Sequence, residues 1–371
     1  MEIKIAHCAD VHFGIKGLSN KRRAEIKSSF FKMLDKISEE DVELFLIAGD
    51  LFDNLEVNDL EVKEIKTALE NLKCKTVIAP GNHDPFIPDS LYYYDWPKNV
   101  YIFKKNTIEF FEIPEIKTRI WGSAFTHFNN SSGARISSDD KEKISDGKFI
   151  NILLAHGTYP ATEPDQYNPI TAEEIRESGM NYIALGHIHK RTPVQQIGQS
   201  FYAYPGCHDG KSFKEMGEKG FYLGCISDLG CKLDFIRLST REYLEINIDI
   251  TGLEISDEII GATKEKMEQQ FGKNYKDNIY RIILEGERED NFFVDSEYIG
   301  AKLKEMVFFA EVYDKTIPKY KENGINIKSV FIKNMREKIK NCQNEKEKEC
   351  AKMALHFGIK SFKEEITFNE D

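Results

Sequence analysis

The sequence predicts a layered α/β fold carrying a small α+β capping unit and a helical tail. Three observations lead there. Five short apolar runs each stop at a polar motif, as buried strands do: 3–9, 43–48, 75–79, 149–155 and 181–185. Amphipathic stretches at 20–39 and 57–72 alternate with the first three, which argues for strands layered against helices. Beyond about residue 240 the pattern restarts as a second, smaller β-α-β-α-β series.

Each element follows from its residues. In 20–39, Ile26, Phe30, Phe31, Leu34 and Ile37 recur at helical spacing. From 197 to 238 the pattern is all strand, in SFYAYPG, GFYLGCISD and CKLDFIRLS. The stretch 125–148 is polar and poor in large apolar residues, and reads as a surface excursion. LEINIDI, IYRIILEGE and FFAEVYD then read as strands, with SDEIIGATKEKMEQQF and SEYIGAKLKEMV as helices between them. The expected units are a catalytic domain at 1–240, a cap at 241–316, a linker at 317–326 and a helical tail at 327–371. The tail carries two stripes, Phe331, Met335, Ile339 and Cys342 on one helix and Met353, Ala354 and Phe357 on the other. Two short helices cannot bury such stripes alone, so they either fold back or dock on a partner.

Composition narrows the class. A chain of 371 residues suggests two to three domains. Its 25 Phe and 16 Tyr are enough to build cores, which excludes a disordered chain. No run approaches the roughly 18 apolar residues of a membrane span. The net charge of −11 argues against a simple nucleic-acid coat. That average is uneven, because residues 318–352 hold ten Lys/Arg against five Glu. Seven Cys without a C-x-x-C pair indicate neither a disulfide framework nor a thiolate zinc site. The first residues, MEIKIAHCAD, lack the features of a signal peptide, and the expected location is the cytoplasm.

The chemistry is carried by the five strand ends. KIAHCADVHFG supplies Asp10 and His12, LFLIAGDLFD supplies Asp50, and TVIAPGNHD supplies Asn82, His83 and Asp84. INILLAHG supplies His156, and YIALGHIH supplies His187 and His189. Carboxyl ends of strands in α/β sheets converge on one crevice. Two carboxylates, an amide oxygen and four imidazoles suit two divalent ions such as Mn²⁺, Fe²⁺ or Zn²⁺. Two such ions about 3.5–4 Å apart suit phosphate-ester hydrolysis. A lone strand-end His is more often structural, but five motifs in order are not explained that way.

D-x-H at 10–12, GD at 49–50, GNHD at 81–84, His156 and GHIH at 186–189 resemble the calcineurin-like metallophosphoesterases. Within them, DVHFG, GDLFD, the cap and the tail resemble the DNA double-strand-break repair nucleases of the meiotic recombination eleven (Mre-eleven) and SbcD type, in the archaeal form. The resemblance implies a four-layer β-sandwich flanked by helices. It implies that Asp10, His12 and His189 bind one metal and that Asn82, His156 and His187 bind a second. Asp50 would bridge the two ions, most often Mn²⁺. His83 would face the scissile phosphate as general acid, with Asp84 orienting its ring. The implied activity is 3′-to-5′ exonuclease on duplex DNA and endonuclease on single strands. The implied partners are DNA, a second copy through the nuclease domain, and an SMC-like ATPase of the Rad-fifty/SbcC type docked on 327–371. The aromatic run LYYYDWP at 91–97 is expected at the dimer contact.

Two departures stand out. Many archaeal and eukaryotic relatives read GDLFH where this chain has Asp53, and PGCH at 205–208 replaces PGS. The alternatives are a general phosphoesterase acting on nucleotides or phosphoproteins, and a non-catalytic scaffold. Lys190 and Arg191 follow GHIH and would be solvated or meet a DNA phosphate. His7 and His208 read as buried structural histidines, and His127 and His356 carry no assigned role.

Overall fold

The computed structural model describes residues 1–130, 135–161, 167–289, 292–319 and 327–362. Its contacts divide the chain into two compact units, Met1–Tyr243 and Leu244–Asp371.

The first unit runs β1 (Glu2–Cys8), α1 (Asn20–Glu39), β2 (Leu44–Ile47), α2 (Asp59–Glu70), β3 (Lys75–Ile78), β4 (Val100–Ile102), β5 (Glu109–Ile113) and β6 (Thr118–Gly122). It continues with α3 (Ser138–Ile144), β7 (Ile150–His156), α4 (Ala172–Glu177), β8 (Tyr182–Gly186), β9 (Gln195–Ile197), β10 (Ser200–Ala203), β11 (Gly220–Ser227) and β12 (Cys231–Arg237). Two six-stranded sheets result, ordered β12-β11-β1-β2-β3-β4 and β5-β6-β7-β8-β10-β9. β1 to β4 are parallel, as are β6, β7, β8 and β10, so the ligand-bearing strand ends of each sheet point one way.

Period-two alternation builds the layers. Ile3, Ile5, Leu44 and Leu46 face the second sheet's Ile152, Leu154, Tyr182 and Ala184 in a fully buried seam. Ala6, Cys8, Phe45 and Ile47 face the other way, onto Phe30, Met33, Leu34 and Ile65 of α1 and α2. The far side of the second sheet, through Trp121, Ala155, Ile183 and Leu185, packs on Ile144 and Ile175 of α3 and α4. The order is helix, sheet, sheet, helix, the expected four-layer sandwich. Strands buried on both faces read as continuous apolar runs, which is why five of them were visible in the sequence.

Some elements lay outside that reading. β4, β5 and β6 fill 100–122, and β6 is an interior strand of the second sheet. The excursion at 125–148 contains α3, started by a capping box in which Ser137 and Asp140 exchange hydrogen bonds.

The second unit runs β13 (Tyr243–Asp249), α5 (Ser256–Phe271), β14 (Ile279–Glu285), β15 (Glu287–Glu289), α6 (Ser296–Lys304), β16 (Phe309–Asp314), β17 (Ile317–Lys319), α7 (Ile327–Asn341) and α8 (Glu345–Ser361). A three-stranded sheet, β13-β14-β16, carries α5 and α6 over a core that includes Ile248, Ile259, Tyr280, Ile282, Ile299 and Leu303. The start of the expected linker needs correction. Residues 317–319 are strand β17, paired in parallel with Glu287–Glu289, and 320–326 lie outside the described residues.

The two tail stripes have different fates. Ile332 and Leu355 are buried between α7 and α8, with Phe331, Met335, Ile339 and Ile317 packed around them. Arg336 adds an ion pair to Glu287 at 2.8 Å. Met353 and Phe357 remain exposed, at 54% and 64%.

Candidate metal centre

The loops after β1 and β2 are stitched together by their backbones. Asp10 N–H donates to Gly49 O at 3.1 Å, and His12 N–H to Asp50 O at 2.9 Å. Asp10, His12, Asp50 and His187 all have positive φ, between 51° and 96°. Such backbone is disfavoured for residues with a Cβ, and it concentrates where a side chain must be aimed rather than merely accommodated. The glycines of the motifs allow close approach. A Cβ on Gly81 would lie 2.2 Å from Asp50 Oδ1 and 2.6 Å from its backbone nitrogen, and one on Gly49 (φ +86°) would lie 2.2 Å from His156 Nδ1.

Asp10, His12, Asp50, Asn82, His83, His156, His187 and His189 are brought together. On one side, His12 Nε2 and His189 Nε2 are 3.3 Å apart, and His189 Nε2 is 3.6 Å from Asp10 Oδ1. On the other, Asn82 Oδ1 lies 2.9 Å from His156 Nε2 and 3.2 Å from His187 Nδ1. Asp50 stands between the two sets. Its Oδ2 is 3.7 Å from His12 Nε2 and 3.3 Å from His156 Nε2. Asp10, His12 and His189 offer ligand atoms all within 4.8 Å of one another, and so do Asp10, Asp50 and His156.

The outer ring nitrogens fix the inner ones. His12 Nδ1 is held by Asp53 Oδ1 at 3.2 Å, His156 Nδ1 by Ala48 O at 2.8 Å, and His189 Nδ1 by Glu215 Oε1 at 2.5 Å. Each acceptor demands a proton on Nδ1, so each Nε2 faces inward and offers a lone pair when the ring is neutral. Three Nε2 atoms and two buried carboxylates then face one small volume. Such a donor set fits divalent cations, which would relieve the mutual repulsion.

The electrostatics reflect this crowding. Burial alone would raise the Asp50 carboxyl, but His156, His12 and His83 hold it below the usual carboxylate range. Burial alone would lower His156, but the charge of Asp50 raises it. Burial, and then the charge of Lys211, lowers His12; burial and His156 bring His187 down to about 4.

His83 sits at the mouth, with its ring exposed. Its N–H donates to Asp50 Oδ1 at 2.9 Å, and its Nδ1 contacts the carbonyl of Asp53 at 3.0 Å. Its ring stands edge-on to His12, with centroids 4.7 Å apart. The expectation that Asp84 orients this ring is corrected. The Asp84 carboxylate accepts from Phe52 N at 2.9 Å, Gly81 N at 2.7 Å and Tyr92 Oη at 2.6 Å. It is a buried strut between two loops, and the Asp53 carbonyl holds His83 instead. Tyr92, in the aromatic run, is thereby committed to the interior, while Tyr93 and Tyr94 are exposed.

Three further residues had no strong signal. Asp53, seen only as a departure from relatives, orients His12. Glu215 and Lys211 reach His189 and Asp10 from a loop with no recognised motif. Arg191 lies over the Phe235 ring at 4.2 Å.

The fold and this ligand set define a metallophosphoesterase. A calcineurin-like phosphoesterase family model matches residues 3–191, and the chain belongs to that family. Among curated proteins, it is 29% identical over 306 residues to an uncharacterized metallophosphoesterase, YhaO, of Bacillus subtilis, covering 77% of this chain and 72% of that protein. It is also similar to proteins named DNA double-strand break repair protein Mre11. The Methanococcus maripaludis protein is 26% identical, covering 89% of this chain and 99% of that protein. The Methanocaldococcus jannaschii protein is 28% identical, covering 65% and 68%.

Proposed function

We propose that this chain is a two-metal, Mn²⁺-dependent DNA nuclease that hydrolyses phosphodiesters at DNA ends during double-strand-break processing. The observation that carries the reading is the meeting of two ligand sets at Asp50. Asp10, His12 and His189 would hold one ion, Asn82, His156 and His187 the other, with Asp50 shared. Bound together, two such ions lower the pKa of a water and neutralise phosphoryl oxygens. The protein's own part is to aim the ligands through Asp53, Ala48 and Glu215, and to place a proton donor at the mouth. With Nδ1–H given to the Asp53 carbonyl, a His83 ring protonated on both nitrogens would pass its Nε2 proton to the leaving oxygen.

DNA as substrate is favoured by similarity to Mre11-named proteins that extends into the second unit. The activities proposed are 3′-to-5′ exonuclease on duplex ends and endonuclease on single strands. The work would be done in the cytoplasm, as a dimer through the first unit and with a Rad-fifty/SbcC-type ATPase. For the ATPase, the exposed Met353 and Phe357 of α8 supply an apolar face. Among the described residues, no helix is long and apolar enough to cross a membrane.

A general phosphoesterase is the competing reading, favoured by the likeness to YhaO. Digestion of 3′-labelled duplex and single-stranded DNA with Mn²⁺, beside a small phosphomonoester, separates them. Chelator-sensitive release of nucleotides from DNA is expected. Turnover of the monoester with intact DNA would overturn the nuclease reading.

A further inference from the structure

The loop after β10, residues 205–219, carries buried charges that the ligand motifs do not include. Glu215 is 8% exposed and Lys211 is 6% exposed. Glu215 Oε1 meets His189 Nδ1 at 2.5 Å, and its Oε2 accepts from Lys211 N at 2.6 Å. Lys211 Nζ donates to Asp10 O at 2.9 Å and lies 3.7 Å from Glu215 Oε1. Lys219 Nζ donates to His189 O at 3.1 Å, so backbone and ring of His189 are both held by this loop.

We infer that Glu215 is a positioning residue for the metal centre, fixing His189 so that Nε2 faces Asp10 and His12. This rests on the two-metal reading of the site and names a residue that acts through His189 rather than on substrate.

Charge balance supports it. A carboxylate this buried needs a cation nearby, and Lys211 supplies one while its other contact anchors the Asp10 loop. One lysine thus ties the supports of two proposed ligands together. The His189 side chain is partly exposed, at 31%, so packing alone does not enclose its ring. Cys207 in the same loop is also buried, and its Sγ lies near the His189 carbonyl. Carboxylates behind metal-binding imidazoles set both tautomer and basicity, and their loss typically weakens metal binding about 10–100-fold.

The test uses the full chain and Mn²⁺ alone. Calorimetric titration is run on wild type, Glu215→Ala, Glu215→Gln and His189→Ala, with Co²⁺ absorption spectra as a second readout. The expected result is Mn²⁺ binding weakened about 10–100-fold in Glu215→Ala, with an altered Co²⁺ spectrum and a folded circular-dichroism signature. Glu215→Gln keeps an oxygen acceptor for the ring and should recover much of the affinity. If Glu215→Ala binds Mn²⁺ as wild type does while His189→Ala does not, the inference fails and the two-metal reading stands. If both glutamate variants lose affinity only in proportion to lost thermal stability, Glu215 is merely structural and the inference fails. Wild-type protein that binds no Mn²⁺ would overturn the two-metal reading and the inference together.

Discussion

His12 and His189 point their Nε2 atoms at each other across 3.3 Å, although 177 residues separate them in sequence. Neither ring can escape by rotating, because Asp53 grips one Nδ1 and Glu215 the other. Two imidazole lone pairs held that close repel unless something positive stands beside them. The protein has therefore invested carboxylates in keeping an arrangement that pays off only with a cation bound.

Replacing His83 by Ala should separate binding from chemistry. Its Nδ1 is held by the Asp53 carbonyl, and it lies at the mouth beside the two ligand sets. Loss of a general acid should lower kcat about 10²–10⁴-fold. Mn²⁺ stoichiometry, measured by calorimetry, should stay at two. Single-turnover cleavage of labelled DNA checks the rate, and an unchanged rate would remove His83 from the chemistry.

Gly81→Ala should damage the site without replacing any ligand. The added methyl would meet Asp50 backbone and carboxylate at 2.6 and 2.2 Å. Backbone on one side leaves little room to relax, and overpacking of this kind costs about 1–3 kcal/mol. Denaturant unfolding should show that loss, and Mn²⁺ titration should show weaker binding. Wild-type Mn²⁺ affinity in this variant would mean that the Asp50 loop tolerates displacement.

Tyr92→Phe should destabilise without altering the chemistry. It removes one of three donors to the buried Asp84 carboxylate and leaves the ring packed against Phe52 and Trp96. Leaving a buried acceptor short of a partner costs about 1–3 kcal/mol. Chemical denaturation gives the stability, and kcat under saturating Mn²⁺ should be unchanged. A large fall in kcat would restore a direct role for Asp84.

Acid should weaken the fold through two histidines outside the ligand set. Burial takes His7 down to about 3 and His208 down to about 4, from an ordinary value of 6.5. Both are neutral in the folded chain and take up a proton more readily when unfolded. Their contribution is therefore complete above pH 6.5 and is lost as pH falls toward 4. Thermal midpoints of metal-free protein should drop across that window. His7→Gln and His208→Gln should each shrink the drop, and identical pH profiles would show that other groups control it.

What could be read directly from the residues depended on locality. A GD or GNH ending an apolar run announces both a strand and a ligand, because side chain and strand end are neighbours. TRIWG, strand β6, escaped notice because Thr118 and Arg119 interrupt the apolar run. In the fold, Arg119 is buried against Glu112 and Asp146 and lies over the Phe149 ring at 4.5 Å. Glu215 and Lys211 escaped for another reason. Their partners are 26 and 201 residues away, and nothing in KSFKEMGEKG distinguishes a buried support from a solvated charge. Asp84 shows the opposite error, since adjacency to His83 suggested a contact that the chain's turn does not make.

The seam between the two sheets has a consequence beyond packing. Asp10, His12, Asp50 and Asn82 leave the ends of β1, β2 and β3, whereas His156, His187 and His189 leave β7 and β8. Each proposed ion draws ligands from both sheets, so each would act as a rivet through the sandwich. Ions that bind the folded chain and not the unfolded one would add to its stability, so the apolar seam of Ile5, Leu46, Ile152 and Leu154 and the proposed metals would hold the two sheets together jointly. A methyl group removed deep in that seam would then make the folded state lean more heavily on bound metal.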